Sequence, residues 1–114
     1  MASDDLKKYM QEASALVEAE LDRLLPSEAE PPSTIHTAMR YRVCGGGKRL
    51  RAILSMEAAG LRGTCPTKAL PVAASVEMIH AYSLIHDDLP CMDDDDYRRG
   101  KLSNHKVFRE GIAV

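Results

Sequence analysis

From Val72 to Leu89, between Pro71 and Pro90, eighteen residues run without a helix breaker. Val72, Ala73, Ala74, Val76, Met78, Ile79, Ala81, Tyr82, Leu84 and Ile85 leave that run almost no continuous polar face. As a helix it would span roughly 27 Å. A helix apolar on nearly every side belongs inside a helical assembly, not on its surface. Pro71 suits a first-turn position, and Pro90 stops the run. The fold class is therefore expected to be all-α, with other helices surrounding this one. A chain of 114 residues offers few of them. Residues 1–114 are accordingly expected to be the N-terminal part of a larger helical domain.

The remaining segments fit that plan. Residues 4–25 carry apolar side chains at three- and four-residue spacing, among them Leu6, Ala13, Leu16, Val17 and Leu21. This is one face of a helix. Ser3 would cap it, Asp4 and Asp5 suit its positive end, and Pro26 ends it. Residues 26–33 read as a linker. Thr34 to Val43 reads as a short helix with Ser33 as its cap. Gly45, Gly46 and Gly47 follow, a backbone free to approach a ligand closely. Lys48 opens another helical run through Ala59, closed by Gly60 and Gly63. No segment alternates with period two, so no sheet is expected.

Composition removes several function classes. Fifteen basic against seventeen acidic residues give a net charge of −2, unlike a nucleic-acid binder. Four Tyr, one Phe and no Trp make a base-stacking platform improbable. Cys44, Cys65 and Cys91 form no CxxC pair, which disfavours a disulfide framework or zinc knuckle and fits a reducing compartment. No run reaches the length of a transmembrane segment. The acidic start shows no leader, so the expected setting is cytoplasmic, or the plastid stroma once a leader has been removed.

The chemistry concentrates where the apolar run ends. Residues 87–96 hold six carboxylates: Asp87, Asp88, Asp93, Asp94, Asp95 and Asp96. An acidic run by itself is most often a solvated loop. This one follows a wholly apolar helix, and a packed set of carboxylates needs a positive partner. Carboxylate oxygens are hard ligands that suit Mg2+, which keeps positions for water and phosphate. Arg98, Arg99 and Lys101 follow directly, and guanidinium forks match phosphate oxygens. Between Pro31 and Met56 there are five basic residues, Arg40, Arg42, Lys48, Arg49 and Arg51, and no acidic one. An anionic head over an apolar interior describes a prenyl diphosphate. His80 lies seven residues before Asp87, within about 20° of the same helix face. Ser83 and Tyr82, four and five before Asp87, would point beneath the carboxylates. A lone helix histidine is more often a satisfied core residue, and His86 is read that way.

Two rival motifs fail. Gly45-Gly46-Gly47-Lys48 lacks the first P-loop glycine, where Arg42 stands, and has Arg49 where Ser or Thr must hold Mg2+. The Asp run lacks an EF-hand's glycine and final Glu. Cys91 is a poor magnesium ligand and is read as packing.

Two segments, Gly46-Gly47-Lys48-Arg49-Leu50-Arg51 and His86 through Gly100, resemble the trans-isoprenyl diphosphate synthases. The match is to the short-chain farnesyl and geranylgeranyl branch. Glu77-Met78-Ile79-His80 and Asn104-His105-Lys106-Val107-Phe108 fit as well. The resemblance implies the N-terminal helices of an isoprenoid-synthase bundle around a central cavity. It implies a magnesium-dependent prenyltransferase of isoprenoid biosynthesis, joining an allylic diphosphate to isopentenyl diphosphate. Asp87, Asp88 and Asp93 would form its first aspartate-rich motif, with Asp87 and Asp93 holding Mg2+. Arg98 would contact the allylic diphosphate. Lys48, Arg51, His80 and Arg99 would hold that of isopentenyl diphosphate. Tyr82, with Ser83, would form the floor that sets product length. Such proteins are expected to form homodimers, with no nucleic-acid partner. Ala52 and Leu102 stand where the family usually has Pro, and Arg109 where it has Gly. A second aspartate-rich motif is missing from these residues, so the chain alone is expected to turn over little or not at all. The rival reading is a non-catalytic partner of a full-length synthase; a plain Mg2+ or Ca2+ module is a weaker third.

Overall fold

The computed structural model describes residues 2–114. Its elements are α1 (Ala2–Leu24), α2 (Ser33–Val43), α3 (Leu50–Leu61), a 3-10 turn (Pro66–Ala69), α4 (Leu70–Asp87), β1 (Tyr97–Arg98), β2 (Lys101–Leu102), α5 (Asn104–Phe108) and α6 (Glu110–Ala113). They form two units, one of α1 with residues 46–78, the other of residues 25–45 with 79–114.

In the first unit α1 packs on α3. Ala13, Val17 and Leu21, four apart, are the buried stripe of α1, and Ala52, Ile53 and Met56 that of α3. Each fully buried Leu, Val or Ile contributes about 1.5–3 kcal/mol. The Tyr9 hydroxyl donates to the Glu57 carboxylate, tying the two helices at their exposed edge. Ser3 lies inside α1 and not at its cap. Helix α3 starts at Leu50, later than expected, because Arg49 takes a left-handed conformation at φ 56°. Gly60 lies within α3, and Gly63, at φ 83°, follows its end.

In the second unit α2 packs against α5 and α6. Pro32, not Ser33, is the cap of α2, and Ser33 is its first residue. The Tyr41 ring meets Phe108 edge-on at 5.4 Å, and its hydroxyl donates to the Leu102 carbonyl at 2.6 Å. Asn104 Nδ2 donates to the Ala38 carbonyl at 2.9 Å, joining α5 to α2. Arg40 donates to the Pro26 carbonyl at 2.6 Å and the Leu25 carbonyl at 2.8 Å, which holds the linker.

Two expectations need correction. A small antiparallel sheet exists, with Tyr97 opposite Leu102 and Arg98 opposite Lys101. Its turn, Arg99-Gly100, has positive φ at both residues (54° and 78°), the twist that a two-residue hairpin needs. Strands of two residues are too short to show any periodicity. Nor is α4 buried all round. Ala73, Ala74, Glu77 and Ala81 form its buried strip, while Val72, Ile79 and Tyr82 are exposed. The small side chains allow close approach on one side, and the larger ones lie outside.

Candidate active site

Helix α4 ends at Asp87, two residues before the expected end. The chain then folds back on its own carbonyls. Met92 and Asp94 donate their N–H groups to the Leu89 carbonyl at 2.9 and 3.0 Å. Asp93 N–H donates to the Asp87 carbonyl at 2.8 Å, and Asp95 N–H to that of Asp88 at 3.1 Å. Asp94 takes φ 52°, which Asp tolerates better than most residues. The loop thus brings Asp93 beside Asp87 across six positions of sequence. Asp87 is half-buried and Asp93 exposed, so both present hard oxygen donors. Two carboxylates with room for water and phosphate are the protein's usual share of a magnesium site, so the pair fits the ion.

Asp88 is of another kind. It is 1% exposed. Arg98 grips it with Nε at 2.9 and 3.1 Å from the two oxygens and Nη2 at 2.8 Å from one. The hydrogen bond to Asp88 raises the Arg98 pKa, and the nearby Asp95 and Asp87 charges add to it. This two-pronged contact anchors the hairpin strand β1 to the end of α4.

Arg42, on α2, reaches the same place. It is buried, and burial lowers its pKa first, followed by the positive charges of Arg99 and Arg98; Asp88 opposes them. A guanidinium nevertheless stays charged. Three guanidiniums thus gather beside the buried Asp88 carboxylate, and guanidinium forks match phosphate oxygens. The sequence reading placed Arg42 in a basic stretch without a role. Its only signal was the absence of acidic residues from 31 to 56.

His80 is half-buried, and the Ser83 hydroxyl donates to the His80 carbonyl at 2.7 Å, satisfying itself within the helix. Tyr82 is 53% exposed and meets His86 edge-on at 5.4 Å. Lys48 and Arg51 stand on the first unit, both exposed, at the start of α3. Arg49 between them is buried instead. Its Nε donates to Glu18 at 3.3 Å and its Nη1 to Glu77 at 3.5 Å, while Glu77 also accepts the Ala52 N–H at 3.2 Å. The basic segment therefore alternates outward cations with one structural anchor. Cys91 is exposed, which corrects its reading as a packing residue, as are Cys44 and Cys65. Threonine holds the Cys65 thiol low: its pKa falls first through the hydrogen bond with Thr67, at 3.1 Å.

Residues 32–114 match the polyprenyl synthetase family. The chain belongs to that family. It is 50% identical over 113 residues to the large subunit 1 of heterodimeric geranylgeranyl pyrophosphate synthase, chloroplastic, of Arabidopsis thaliana, covering 99% of this chain and 30% of that one. It is 46% identical to farnesyl diphosphate synthase of Geobacillus stearothermophilus, covering 100% of this chain and 38% of the relative. A solved FPP/GFPP synthase of Zymomonas mobilis superposes with a TM-score of 0.91 at 43% identity, over 100% of this chain and 41% of that structure. The helical fold is thus that of the isoprenoid synthases, and this chain spans 30–41% of the length of these relatives. The relatives include chloroplast and bacterial proteins. Among the described residues no helix is long and apolar enough to cross a membrane.

Proposed function

We propose that this chain supplies the first diphosphate-binding wall of a prenyltransferase that condenses an allylic diphosphate with isopentenyl diphosphate to give farnesyl or geranylgeranyl diphosphate. One observation carries the reading: the loop after α4 folds Asp93 onto Asp87 while Arg98 locks Asp88. Two ligands are thereby presented and one carboxylate is removed from competition. Asp87 and Asp93 would hold Mg2+. Bound there, the ion supplies charge neutralisation of the departing diphosphate.

The other residues bind, orient and exclude water. Arg99 and Arg42 extend the positive field toward the phosphate oxygens, and Arg98 adds to it from its anchored position. Lys48, Arg51 and His80 are the proposed contacts of isopentenyl diphosphate. In the reaction the allylic C–O bond breaks and the electron pair leaves with the diphosphate. The double bond of isopentenyl diphosphate then attacks the allylic carbon, and a proton is lost from the adduct. Tyr82 with Ser83 would close the floor, because the ring lies one turn before Asp87. One relative is named as a chloroplastic, heterodimeric large subunit, which supports a plastid setting and assembly beside a second chain; a cytoplasmic setting and a homodimer complete the proposal.

Calorimetry with geranyl diphosphate tests this. The expected result is binding that requires Mg2+ and disappears in Asp87→Asn and Asp93→Asn with helix content intact. Binding that is indifferent to Mg2+, or unchanged in both variants, refutes it. The exposed apolar positions Val72, Ile79 and Tyr82 favour a second reading, a partner that docks on a synthase without itself binding substrate. Absence of geranyl diphosphate binding together with tight association with a full-length synthase would establish that reading instead.

A further inference from the structure

Beyond the proposed magnesium pair, a second cluster lies where the acidic loop meets α5. Asp94, Asp96 and His105 each offer one donor atom, all within 4.8 Å of one another. Both carboxylates are exposed, whereas His105 is 6% exposed. His105 Nε2 is buried and has no hydrogen-bond partner among the described residues. A buried polar atom left unpaired is destabilising, so its position calls for a ligand.

The hydrogen bonds of Ser103 assign a tautomer to His105. Ser103 Oγ donates its one proton between the carbonyls of Asp95, at 2.7 Å, and Asp96, at 3.1 Å. Toward His105 Nδ1, at 3.4 Å, it therefore has only a lone pair to offer. Nδ1 then holds the ring proton, and Nε2 keeps its own lone pair. This is the arrangement by which a ligating imidazole is usually oriented, with its second nitrogen held by a neighbour.

We propose that Asp94, Asp96 and His105 form a binding site for a borderline divalent cation of the zinc or cobalt type, separate from the magnesium pair at Asp87 and Asp93. Imidazole beside carboxylates favours such ions over Mg2+, which prefers oxygen alone. An equilateral triangle of side 4.8 Å has its centre about 2.8 Å from each corner, and bonds to zinc are roughly 2.0–2.2 Å. With the buried His105 held in place, the two exposed carboxylates must close from at most 4.8 Å to roughly 3.4–3.7 Å, a movement of about 1.1–1.4 Å that exposed side chains can make. Lys106 opposes binding, since its Nζ lies 3.2 Å from Asp96 Oδ1. A bound ion would clip the acidic loop to α5, two residues beyond β2, and so stiffen the loop that carries Asp93.

Cobalt(II) titration of the 114-residue chain tests the site, with the three cysteines changed to serine to remove thiol ligands. The expected result is one equivalent bound, with visible d–d absorption of a low-symmetry site. Asp94→Asn should weaken it at least tenfold, since Asn accepts the left-handed backbone of position 94 but offers a poorer ligand. Lys106→Gln should strengthen it, because a competing cation is gone. Asp87→Asn and Asp93→Asn should leave it unchanged, which separates this site from the magnesium pair. No stoichiometric binding, or binding that follows Asp87 and Asp93 and ignores Asp94 and Lys106, overturns the proposal.

Discussion

Arg109 occupies a conformation that suits almost no residue but glycine. Its φ is 72° and its ψ 163°, between α5 and α6. In that region a β-carbon meets its own backbone, and the cost for a non-glycine residue is about 1–3 kcal/mol. The Arg109 side chain is exposed, so deleting it removes little packing. Glycine gains back-bone freedom in the unfolded chain, which offsets about 0.4–1 kcal/mol of the relief. Arg109→Gly is therefore expected to stabilise the chain by about 1 kcal/mol, or about 4–8 °C in melting temperature for a domain near this size. Arg109→Ala separates the causes. It removes charge and bulk but keeps the β-carbon, so it should gain nothing. Urea unfolding followed by circular dichroism, with equal slopes for all three proteins, gives the comparison. A neutral or destabilised Arg109→Gly, or an equal gain from Arg109→Ala, refutes the strain argument.

Other substitutions report on the two anchors and on the cavity. Arg98→Ala leaves Asp88 buried without its partner and should cost about 3–5 kcal/mol in urea unfolding, with Arg98→Lys recovering only part because a single ammonium cannot reproduce the fork. Ala52→Pro removes the N–H that Glu77 accepts at 3.2 Å, and a loss of about 1–2 kcal/mol is expected even though proline is otherwise tolerated in a first helical turn. Exposed Cys65 should react with iodoacetamide at pH 7 faster than in its Thr67→Val variant, since the hydrogen bond that favours its thiolate is lost, and mass spectrometry of the labelled peptide measures it. In a full-length enzyme carrying these residues, Tyr82→Ala should lengthen the prenyl product by at least one five-carbon unit, read by chromatography of the dephosphorylated alcohols.

The helices were legible because their signals are local and repeated. The stripe Ala13, Val17, Leu21 and the uninterrupted run before Asp87 could be read directly. What was missed depends on contacts far apart in the chain. Nothing near Ser103 announces that its hydroxyl bonds the Asp95 and Asp96 carbonyls, and nothing near Glu77 announces that it pairs with Arg49. The hairpin at Arg99-Gly100 escaped notice because an Arg takes the place where Asn or Asp is the usual signal. Cys91 was misread because a thiol unsuited to magnesium was assigned to packing by default, whereas the loop satisfies its backbone internally and leaves the thiol outside. The position of Ala52 makes the opposite point. The departure from the family's proline was visible in sequence, but its reason, an N–H given to a buried glutamate, is purely tertiary.

The acidic run shows how identical side chains acquire different work. Six aspartates cannot all stay charged and close without opposing cations. Burial and partners sort them. Asp88 is fully buried and held by Arg98, so its charge is already neutralised and it serves as an anchor for β1. Asp96 meets Lys106, and Asp95 contributes its carbonyl to Ser103. Asp93, exposed, is held beside the half-buried Asp87 by a backbone hydrogen bond at 2.8 Å, and neither residue is sealed from solvent as Asp88 is. A metal bridging to phosphate needs that openness, because water must leave and substrate oxygen must enter at the same positions. The anchor and the ligands must also be neighbours: if Asp88 were released from Arg98, the backbone that presents Asp93 would lose its fixed reference at the end of α4. Loss of activity in an Arg98 variant would then reflect a displaced metal pair as much as a lost phosphate contact, and only Mg2+ affinity measured without substrate separates the two.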